Sequence, residues 1–553
     1  LKMRFCFFLV FALSFTKISA EENIFGIWSF EAIFHEKSNK NKNLKPIGPK
    51  DFLKINLDNS FEYKIDSLEL EAKGKFTVEN DILVLNYTSP KDTTRLYKLS
   101  IQKDRMTLIE DDIIFEFKKI QKNWINDIFR GILGLASLVL LLFAFSRNKG
   151  SVKWGLVFKG IIIQILFAIC ILKVPVIMNI FEYVSKTFVV ILNFTEQGSL
   201  FLFGSLISDT ESFGYIFAFQ VLPTIIFFSS LTSVLFYYGI LQKVVLFFAK
   251  WMKKFFNLSG SESLAAVGNI FLGQTESPLL VKPYIKNMTT SELLCLMSGG
   301  MATIAGGVLA AYIGFLGGSD IDSQIFFAKH LIAASVMSAP AAIVASKILI
   351  PETKEINQGL EINNEDLGTN VLEAISIGTK QGISLAVNVG AMLLVFVAFI
   401  SMINYFLSDF FGNLTGANEL IENITNGNYS SLSMEFLFGY LFAPLSWIIG
   451  VCYEDILLVG QLLGEKTILN EFVAYITLAD LKESNMFFEQ KSLIIATYIL
   501  CGFANFASIG IQIGGIGAIA PTRTKDLSKL GILALVAGTA ACLFTATIVG
   551  III

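Results

Sequence analysis

The feature that most constrains this chain is a sharp fall in charge at Trp124. Residues 21–124 carry 35 charged side chains in 104 positions, whereas the 429 residues after Trp124 carry only 51. A segment with about a third of its residues charged suits water, while one with about an eighth charged and long apolar runs suits lipid. The sequence therefore predicts a soluble part followed by a polytopic α-helical membrane part, and it excludes a single cytosolic globular enzyme.

Net charge and cysteine usage exclude further classes. The formal charge of −3, without a strongly basic block, gives no electrostatic footprint for nucleic acid. Five cysteines stand singly in apolar surroundings, which favours buried thiols over a disulfide framework or a metal site. They are Cys170, Cys295, Cys452, Cys501 and Cys542.

Residues 1–20 have the pattern of a secretory signal peptide. A short basic start precedes an apolar run from Phe5 to Phe15, and small residues at Ser19 and Ala20 precede two acidic residues. An uncleaved first anchor stays open as an alternative. In either case we expect residues 21–124 to lie outside the cytoplasm.

Residues 21–124 alternate apolar and polar side chains in short runs broken by turn residues, which predicts seven or eight antiparallel strands. A small all-β barrel or sandwich follows from that pattern. Gly26-Ile27-Trp28 resembles the Gly-x-Trp opening of lipocalin-like domains, and a generic β-domain stays open beside it. We find no constellation of catalytic residue types in this segment.

From Ile125 onward the pattern changes to long apolar stretches, and we predict about eight transmembrane helices. Lys and Arg cluster after alternate spans, as Arg147, Lys243, Lys347 and Arg523 illustrate, so the positive-inside rule places both termini outside. The predicted spans are 127–146, 153–173, 216–240, 290–316, 325–350, 380–405, 490–516 and 529–553.

Two apolar stretches, 261–285 and 453–478, are interrupted midway by polar residues, so each is expected to enter the membrane and turn back. With the spans above, the first would enter from the cytoplasm and the second from outside. Two opposed re-entrant hairpins, each followed by two spans, are typical of an inverted repeat. The predicted domains are 1–20, 21–124, 125–255 with spans one to three, 256–350 with the first hairpin and spans four and five, 351–433 with a linker and span six, and 434–553 with the second hairpin and spans seven and eight.

The span after each hairpin is rich in glycine and small polar residues at mid-membrane, at 298–307 and 502–510. A helix broken there exposes backbone carbonyls, which a bilayer tolerates only where they face a cavity, protein or a bound ion. Close helix packing is the alternative explanation. Because both segments follow a polar-tipped hairpin, we favour a binding site.

Glu276 and Glu471 are the informative polar residues, because a carboxylate at membrane depth costs free energy and is usually retained for a partner. Amides and hydroxyls surround them, and Lys466 is the one basic residue in the hairpin tips. An anionic substrate would be expected to meet a guanidinium. The pattern therefore predicts a polar, uncharged solute of the sugar or nucleobase kind.

At these residues the sequence resembles the concentrative nucleoside transporter family. The likeness runs from about Gly131 to the C-terminus and is strongest in three blocks: GNIFLGQTESPLL at 268–280, KTILNEFVAY at 466–475 and CGFANFASIG at 501–510. The resemblance implies a homotrimer whose protomers carry nucleosides inward by an elevator-type movement, in symport with sodium or protons. From this resemblance, together with the orientation given by the positive-inside rule, we expect a multi-pass protein of the bacterial inner membrane with both termini on the periplasmic side.

The resemblance assigns the site residue by residue. Gln274, Thr275 and Glu276 would contact the nucleobase, with Val308 and Phe503 as apolar walls, and Glu471, Asn505 and Ser508 would hold the ribose hydroxyls. A sodium ion would lie between Asn269, Thr303 and the carbonyls of Leu272 and Ile304. These positions all offer the oxygen ligands that a hard cation favours. Proton coupling through Glu276 or Glu471 stays open, and we expect no other cofactor.

Two other classes of function compete with a transporter. A membrane receptor whose outer β-domain binds a ligand is the main alternative, although we find no output domain after the spans. An intramembrane enzyme would need a catalytic set, and His330 stands alone in its span. We therefore predict a transporter rather than an enzyme, with a nucleoside and membrane lipid as its partners.

Overall fold

The structure is a computed structural model. It describes residues 24–35, 51–56, 59–65, 70–79, 82–89, 91–102, 105–119, 124–209, 212, 216–318, 320–356, 359, 369–425, 427, 429–484 and 486–553. Contacts divide the chain into two compact units, Leu1–Trp124 and Ile125–Ile553. The predicted signal peptide lies outside the described residues.

The first unit is a closed antiparallel barrel in which each strand pairs with the next and β8 pairs with β1. Apolar side chains alternate inward along the strands, so one contiguous core fills the barrel. Trp28 is fully buried in that core, and its Nε1 donates to the Ile24 carbonyl at 2.7 Å. The strands are β1 Gly26–His35, β2 Phe52–Ile55, β3 Ser60–Ile65, β4 Leu70–Glu79, β5 Ile82–Ser89, β6 Thr93–Gln102, β7 Arg105–Glu110 and β8 Ile113–Lys119.

The rest of the described chain is helical. Short 3₁₀ turns precede α2, α18 and α22, and a π-helical segment at Phe406–Gly412 extends α14. The helices are α1 Trp124–Ala144, α2 Trp154–Lys173, α3 Pro175–Phe203, α4 Ser205–Ser208, α5 Phe217–Gln220, α6 Leu222–Tyr237, α7 Ile240–Phe256, α8 Gly260–Phe271, α9 Ser277–Leu280, α10 Lys282–Ile285, α11 Thr290–Ala302, α12 Gly306–Gly317, α13 Ile321–Leu349, α14 Val371–Tyr405, α15 Asn413–Thr415, α16 Ala417–Ile424, α17 Met434–Ile448, α18 Ile456–Ile468, α19 Glu471–Glu483, α20 Gln490–Leu500, α21 Phe506–Ile519 and α22 Thr524–Ile552.

Among the described residues, eight helical segments are long and apolar enough to cross a membrane, which fits the predicted polytopic helical protein. The members of this set differ from the predicted spans in two places. The segments are Ile125–Ala144, Trp154–Lys173, Pro175–Phe203, Phe217–Tyr237, Thr290–Gly317, Ile321–Leu349, Val371–Thr415 and Pro521–Ile552.

Within residues 125–255 the structure has a further long apolar helix, α3, which the sequence prediction did not list as a span. The apolar sequence of α3 is interrupted by charged residues. Lys186 and Glu182 lie one helical turn apart and form an ion pair at 2.7 Å, which partly offsets their charges. The predicted span 490–516 is a broken helix, because residues 501–505 separate α20 from α21, as the glycine-rich stretch at 502–510 indicated.

Lys347, which the sequence suggested as a marker of the cytoplasmic side, is a buried residue in the last turn of α13. It forms an ion pair with Glu262 in the first turn of α8, and its Nζ donates to Ser291 Oγ at 2.8 Å. Lys347 is only 6% exposed and Glu262 only 1%, so both charges are withdrawn from solvent. This pair ties the base of the first predicted hairpin to α13.

Candidate functional site

Two interrupted helices meet at the centre of the helical unit. The α11 helix ends at Ala302 and α12 begins at Gly306, while α20 ends at Leu500 and α21 begins at Phe506. Gly502, in the second break, has a φ of +114°, and a Cβ there would lie 2.7 Å from the Ala302 carbonyl. A glycine is therefore required for the two breaks to approach through their backbones.

The tip between α8 and α9 contacts both breaks. The Gln274 amide donates from Nε2 to Ser508 Oγ at 3.1 Å, which joins the tip to the first turn of α21. Glu276 Oε2 accepts from the Gly273 amide at 3.2 Å. A Cβ built on Gly273 would lie 3.4 Å from Ala305 Cβ, so the same tip also touches the first break.

The tip between α18 and α19 places a buried carboxylate at the second break. Asn470 caps α19 by accepting from the Val473 amide at 3.0 Å, and Glu471 occupies the first turn, where the helix dipole favours a negative charge. Asn505 Nδ2 donates to Glu471 Oε2 at 2.6 Å, and Asn505 Oδ1 accepts from the Ser508 amide at 2.8 Å. Asn505 therefore caps α21 and holds Glu471 at the same time.

The four residues predicted to bind sodium are all buried near the first tip and the first break. Asn269 Nδ2 donates to the Leu296 carbonyl at 3.4 Å, but Asn269 Oδ1 is buried with no hydrogen-bond partner among the described residues. Thr303 donates its hydroxyl to the Gly299 carbonyl at 2.9 Å, which leaves its oxygen able to accept or coordinate. The chemistry of this set fits a hard cation.

The structure links Gln274, Ser508, Asn505 and Glu471 by hydrogen bonds, as described above. Val308 and Phe503 are buried apolar residues of α12 and the second break, and Thr275 is an exposed residue of the first tip that faces Gly515 of α21. Lys466 is fully buried, and it donates to the Ile499 carbonyl at 2.8 Å and to Cys542 at 3.4 Å. Its ammonium thus holds the end of α20.

Three family models match the helical part of this chain in order. They are described as the Na+ dependent nucleoside transporter N-terminus, at residues 133–206, nucleoside recognition, at 218–319, and the Na+ dependent nucleoside transporter C-terminus, at 330–550. The chain belongs to the concentrative nucleoside transporter family. This is a family of transporters and not of enzymes, and residues 21–124 lie outside the matched ranges.

Relatives of this concentrative nucleoside transporter occur in bacteria and in animals. An uncharacterized transporter of Haemophilus influenzae is 40% identical over 426 residues, which cover 76% of this chain and 97% of that protein. Solute carrier family 28 member 3 of mouse is 40% identical, and sodium/nucleoside cotransporter 1 of rat is 37% identical, each over 76% of this chain. This chain spans 58% of the mouse protein and 63% of the rat protein.

Solved structures of the family share the fold of the helical unit. The structure of CNTnw in an inward-facing substrate-bound state has a TM-score of 0.69 and 37% identity, covering 77% of this chain and 98% of that one. A CNTnw variant in an outward-facing state also gives a TM-score of 0.69, with 35% identity and coverage of 77% and 99%.

Sequence reasoning about this transporter missed Gln512 of α21 and Tyr312 of α12. Gln512 Nε2 donates to the Met297 carbonyl at 2.9 Å, and its Oε1 is buried without a partner among the described residues. Tyr312 stacks on Tyr475 with ring centroids 4.1 Å apart. Gln512 is a polar side chain inside an apolar helix, so the argument from membrane depth that singled out Glu276 and Glu471 could be extended to it. A stacked aromatic gives no such signal.

His330, which stood alone in the sequence, is a packed residue of α13. Its Nδ1 lies 3.2 Å from the Tyr498 hydroxyl, and its ring packs edge-on against Phe326. Among the described residues no group of three His, Cys, Asp or Glu side chains could hold a metal ion. His330 therefore has a packing role in the helical core.

Proposed function

We propose that this chain is a secondary active symporter that imports nucleosides across the bacterial inner membrane, driven by a sodium gradient. The observation that carries the proposal is the Asn505 to Glu471 hydrogen bond beside the Gln274 to Ser508 hydrogen bond. Together they present one carboxylate, two amides and a hydroxyl. Such a set suits the hydroxyls and ring edge of a neutral nucleoside and offers no guanidinium for an anion.

In this proposal the two tips read different parts of the substrate. Gln274, Thr275 and Glu276 bind the nucleobase, with Val308 and Phe503 as apolar walls. Glu471, Asn505 and Ser508 bind the ribose hydroxyls. The nucleoside exchanges its own hydrogen bonds for those that now join Gln274 to Ser508 and Asn505 to Glu471, so the polar groups of the site are not left unsatisfied.

Sodium is the co-substrate in this proposal, held by Asn269, Thr303 and the carbonyls of Leu272 and Ile304. The unpartnered Asn269 Oδ1 supports this assignment, since a buried amide oxygen without a donor loses free energy until a cation or a donor meets it. The names of the rat relative and of the matching family models support the choice of sodium. Titration of Glu276 or Glu471 would provide the proton-coupled alternative.

The transport cycle proposed here is an elevator-type alternating-access movement in a homotrimer. The α8–α10 and α18–α19 segments are the two opposed re-entrant hairpins of an inverted repeat, each followed by a broken helix and a long one. The likeness to inward-facing and outward-facing CNTnw structures supports such a cycle. Both termini lie on the periplasmic side, and the barrel of residues 21–124, lipocalin-like in its opening Gly-x-Trp, is exported behind the signal peptide.

Uptake into lipid vesicles tests the proposal directly. Purified full-length protein should accumulate labelled uridine or adenosine when sodium is higher outside, and accumulation should collapse when the sodium gradient is dissipated. Accumulation driven only by a proton gradient would replace sodium with protons as the coupling ion. If neither nucleoside accumulates under any cation gradient, the importer proposal is wrong, and ligand binding by the barrel would then favour the receptor alternative.

The sodium site has its own test, the substitution Thr303→Val. It removes the hydroxyl and keeps the side-chain shape, so the sodium concentration for half-maximal uptake should rise by about tenfold, the equivalent of about 1.4 kcal/mol. Uptake at saturating sodium should persist. Thr545→Val is the matched control, because Thr545 is also buried and donates to a carbonyl four residues earlier. An unchanged sodium dependence in Thr303→Val would contradict the assignment.

A further inference from the structure

Besides Glu471 of α19, the second predicted hairpin contains a buried carboxyl on α18. This is Glu465, which lies six residues before Glu471 and plays no part in the site described above. The Glu465 side chain is only 4% exposed. Its Oε1 accepts from Gln461 Nε2 at 2.8 Å, and its Oε2 is buried without a hydrogen-bond partner among the described residues. A buried carboxyl in this condition is costly when it is ionised.

Helices α17 and α18 pack almost backbone to backbone in the part of α18 that carries Glu465. A Cβ on Gly460 would lie 2.5 Å from the Gly439 carbonyl, and one on Gly464 would lie 2.4 Å from the Phe438 side chain. Glycines at these two positions let the helices approach closely enough to exclude water. An ionised Glu465 would therefore have little solvent to stabilise it.

Within the part of the chain that the structure describes, no basic side chain forms an ion pair with Glu465. Glu435 of α17 is a neighbouring acid that disfavours a charge on Glu465, whereas the Thr477 hydroxyl of α19 is a nearby donor that favours one. Gln461 is held in place by Tyr429, whose hydroxyl donates to Gln461 Oε1 at 3.3 Å.

The other elements packed against α18 have their charges engaged elsewhere. Lys491 of α20 pairs with Asp127 at 3.0 Å. Asp455, in the turn before α18, accepts from the Phe488 and Glu489 amides. Lys466 follows Glu465 directly, and its ammonium is bound to the Ile499 carbonyl.

A proton satisfies this site better than a metal ion does. A metal ion needs several free oxygen ligands, but both Glu435 oxygens already accept from Asn404 Nδ2, at 3.0 and 2.9 Å. Gln461 Oε1 likewise accepts from Tyr429. A proton needs only the carboxyl itself, and it removes both the buried charge and its repulsion with Glu435.

Glu465 is also connected to the second hairpin tip. Its backbone carbonyl accepts from the Leu469 amide at 2.9 Å, which closes the last turn of α18 directly before Asn470 and Glu471. Water or a counter-ion drawn to an ionised Glu465 would have to separate α17 from α18 at this turn. The turn in question is the one that holds the Glu471 carboxylate opposite Asn505.

We propose that Glu465 is a proton-binding site of this transporter, and that its protonated form is the one that keeps the second hairpin tip in the transport-competent position. This inference rests on the proposed nucleoside import. Ionisation of Glu465 at high pH lowers uptake, independently of the coupling ion. The ligand class is the proton, and the site is separate from the residues assigned to nucleoside and sodium.

The test is nucleoside uptake by the full chain in lipid vesicles, with equal pH on both sides and a fixed sodium gradient, from about pH 5 to about pH 9. Above the pH at which Glu465 is half ionised, its protonated fraction falls by about tenfold for each pH unit. Uptake by the unchanged protein should therefore also fall by about tenfold for each pH unit. Glu465→Gln, which mimics the protonated carboxyl, should keep its acid-range uptake throughout. Glu454→Gln, at an exposed acid before the same helix, should follow the unchanged protein.

Identical pH profiles for the unchanged protein and Glu465→Gln would overturn the inference, as would a flat profile for the unchanged protein. If Glu465→Gln does not transport, the melting temperatures of the two purified proteins are measured against pH instead. The melting temperature of the unchanged protein should be lower at high pH than at low pH, and that of the variant should not. Coincident melting profiles would overturn the inference. If the unchanged protein accumulates no nucleoside at any pH, the proposed function fails, and the melting comparison still tests the proton site.

Discussion

At the scale of single residues, Asn505 makes two contacts that define the site. It caps α21 through the Ser508 amide and donates to the Glu471 carboxylate. A hydrogen bond to a charged group contributes more than one between neutral groups. The position of Glu471 therefore depends on the same residue that begins the broken helix, which couples the second tip to the second break.

Substituting Glu471→Gln removes the negative charge of the carboxylate that we propose binds the ribose hydroxyls. Ribonucleoside uptake should fall between about tenfold and about a hundredfold, because a hydrogen bond to a charged acceptor contributes about 1.5–3 kcal/mol. Vesicle uptake measures the change, and cross-linking should show unaltered assembly of the proposed trimer. The exposed acid Glu419 provides the control Glu419→Gln. Unchanged uptake in Glu471→Gln would show that the second tip is not the ribose site.

Gly502 offers a test of the contact between the two breaks. Gly502→Ala adds a Cβ at 2.7 Å from the Ala302 carbonyl and strains a φ of +114°, so stability should fall by at least about 1–3 kcal/mol. A lower melting temperature of the purified protein would measure the loss. In Gly510→Ala the new Cβ meets nothing within 4 Å, so that protein should melt like the unchanged one. Equal melting of the two variants would contradict the proposed close approach.

At the scale of elements, buried charged residues join the start of the α8–α10 segment to α11 and α13. Glu262 and Glu292 form capping boxes at the starts of α8 and α11, and Ser261 Oγ donates to Glu292. Lys347 of α13 pairs with Glu262. The starts of α8 and α11 and the end of α13 are thus joined in one buried polar network at the base of the α8–α10 segment.

Lys347→Met breaks this network by leaving Glu262 buried and unpaired. The expected loss of stability is about 3–5 kcal/mol, because an uncompensated buried charge costs more than the absent pair. The double variant Lys347→Met with Glu262→Gln should recover much of the loss. The melting temperatures of the unchanged protein, of Lys347→Met, of Glu262→Gln and of the double variant measure the coupling. If the double variant is as unstable as the two single losses added together, the pair is not coupled.

At the scale of the whole molecule, the chain consists of two compact units with separate cores. The family models begin at residue 133, after the barrel has ended at Lys119. Deleting residues 21–124 behind a retained signal peptide should therefore leave sodium-driven nucleoside uptake intact. Uptake per correctly inserted molecule is the measurement, with insertion checked by surface labelling. Complete loss of uptake in an inserted protein would show that the barrel takes part in transport.

The sequence alone determined the properties that depend on local composition. The charge step at Trp124 separated a β unit from a helical unit, because strands in water and helices in lipid need different residues. The expected cost of a carboxylate at membrane depth singled out Glu276 and Glu471 as candidates, and the family resemblance added Asn269. The three motif blocks then identified the family, which the family models confirmed.

Only the tertiary structure decided which distant residues meet. Gln274 is 234 residues from Ser508 and Lys347 is 85 from Glu262, and no periodicity encodes such pairs. The prediction did not include α3, whose charged residues Glu182 and Lys186 pair with each other one turn apart. The prediction also did not single out Glu465. The burial of this residue results from the close contact of α17 with α18 and not from its neighbours in sequence. Burial is a property of packing, and packing is what turns an ordinary glutamate into a proton-binding group.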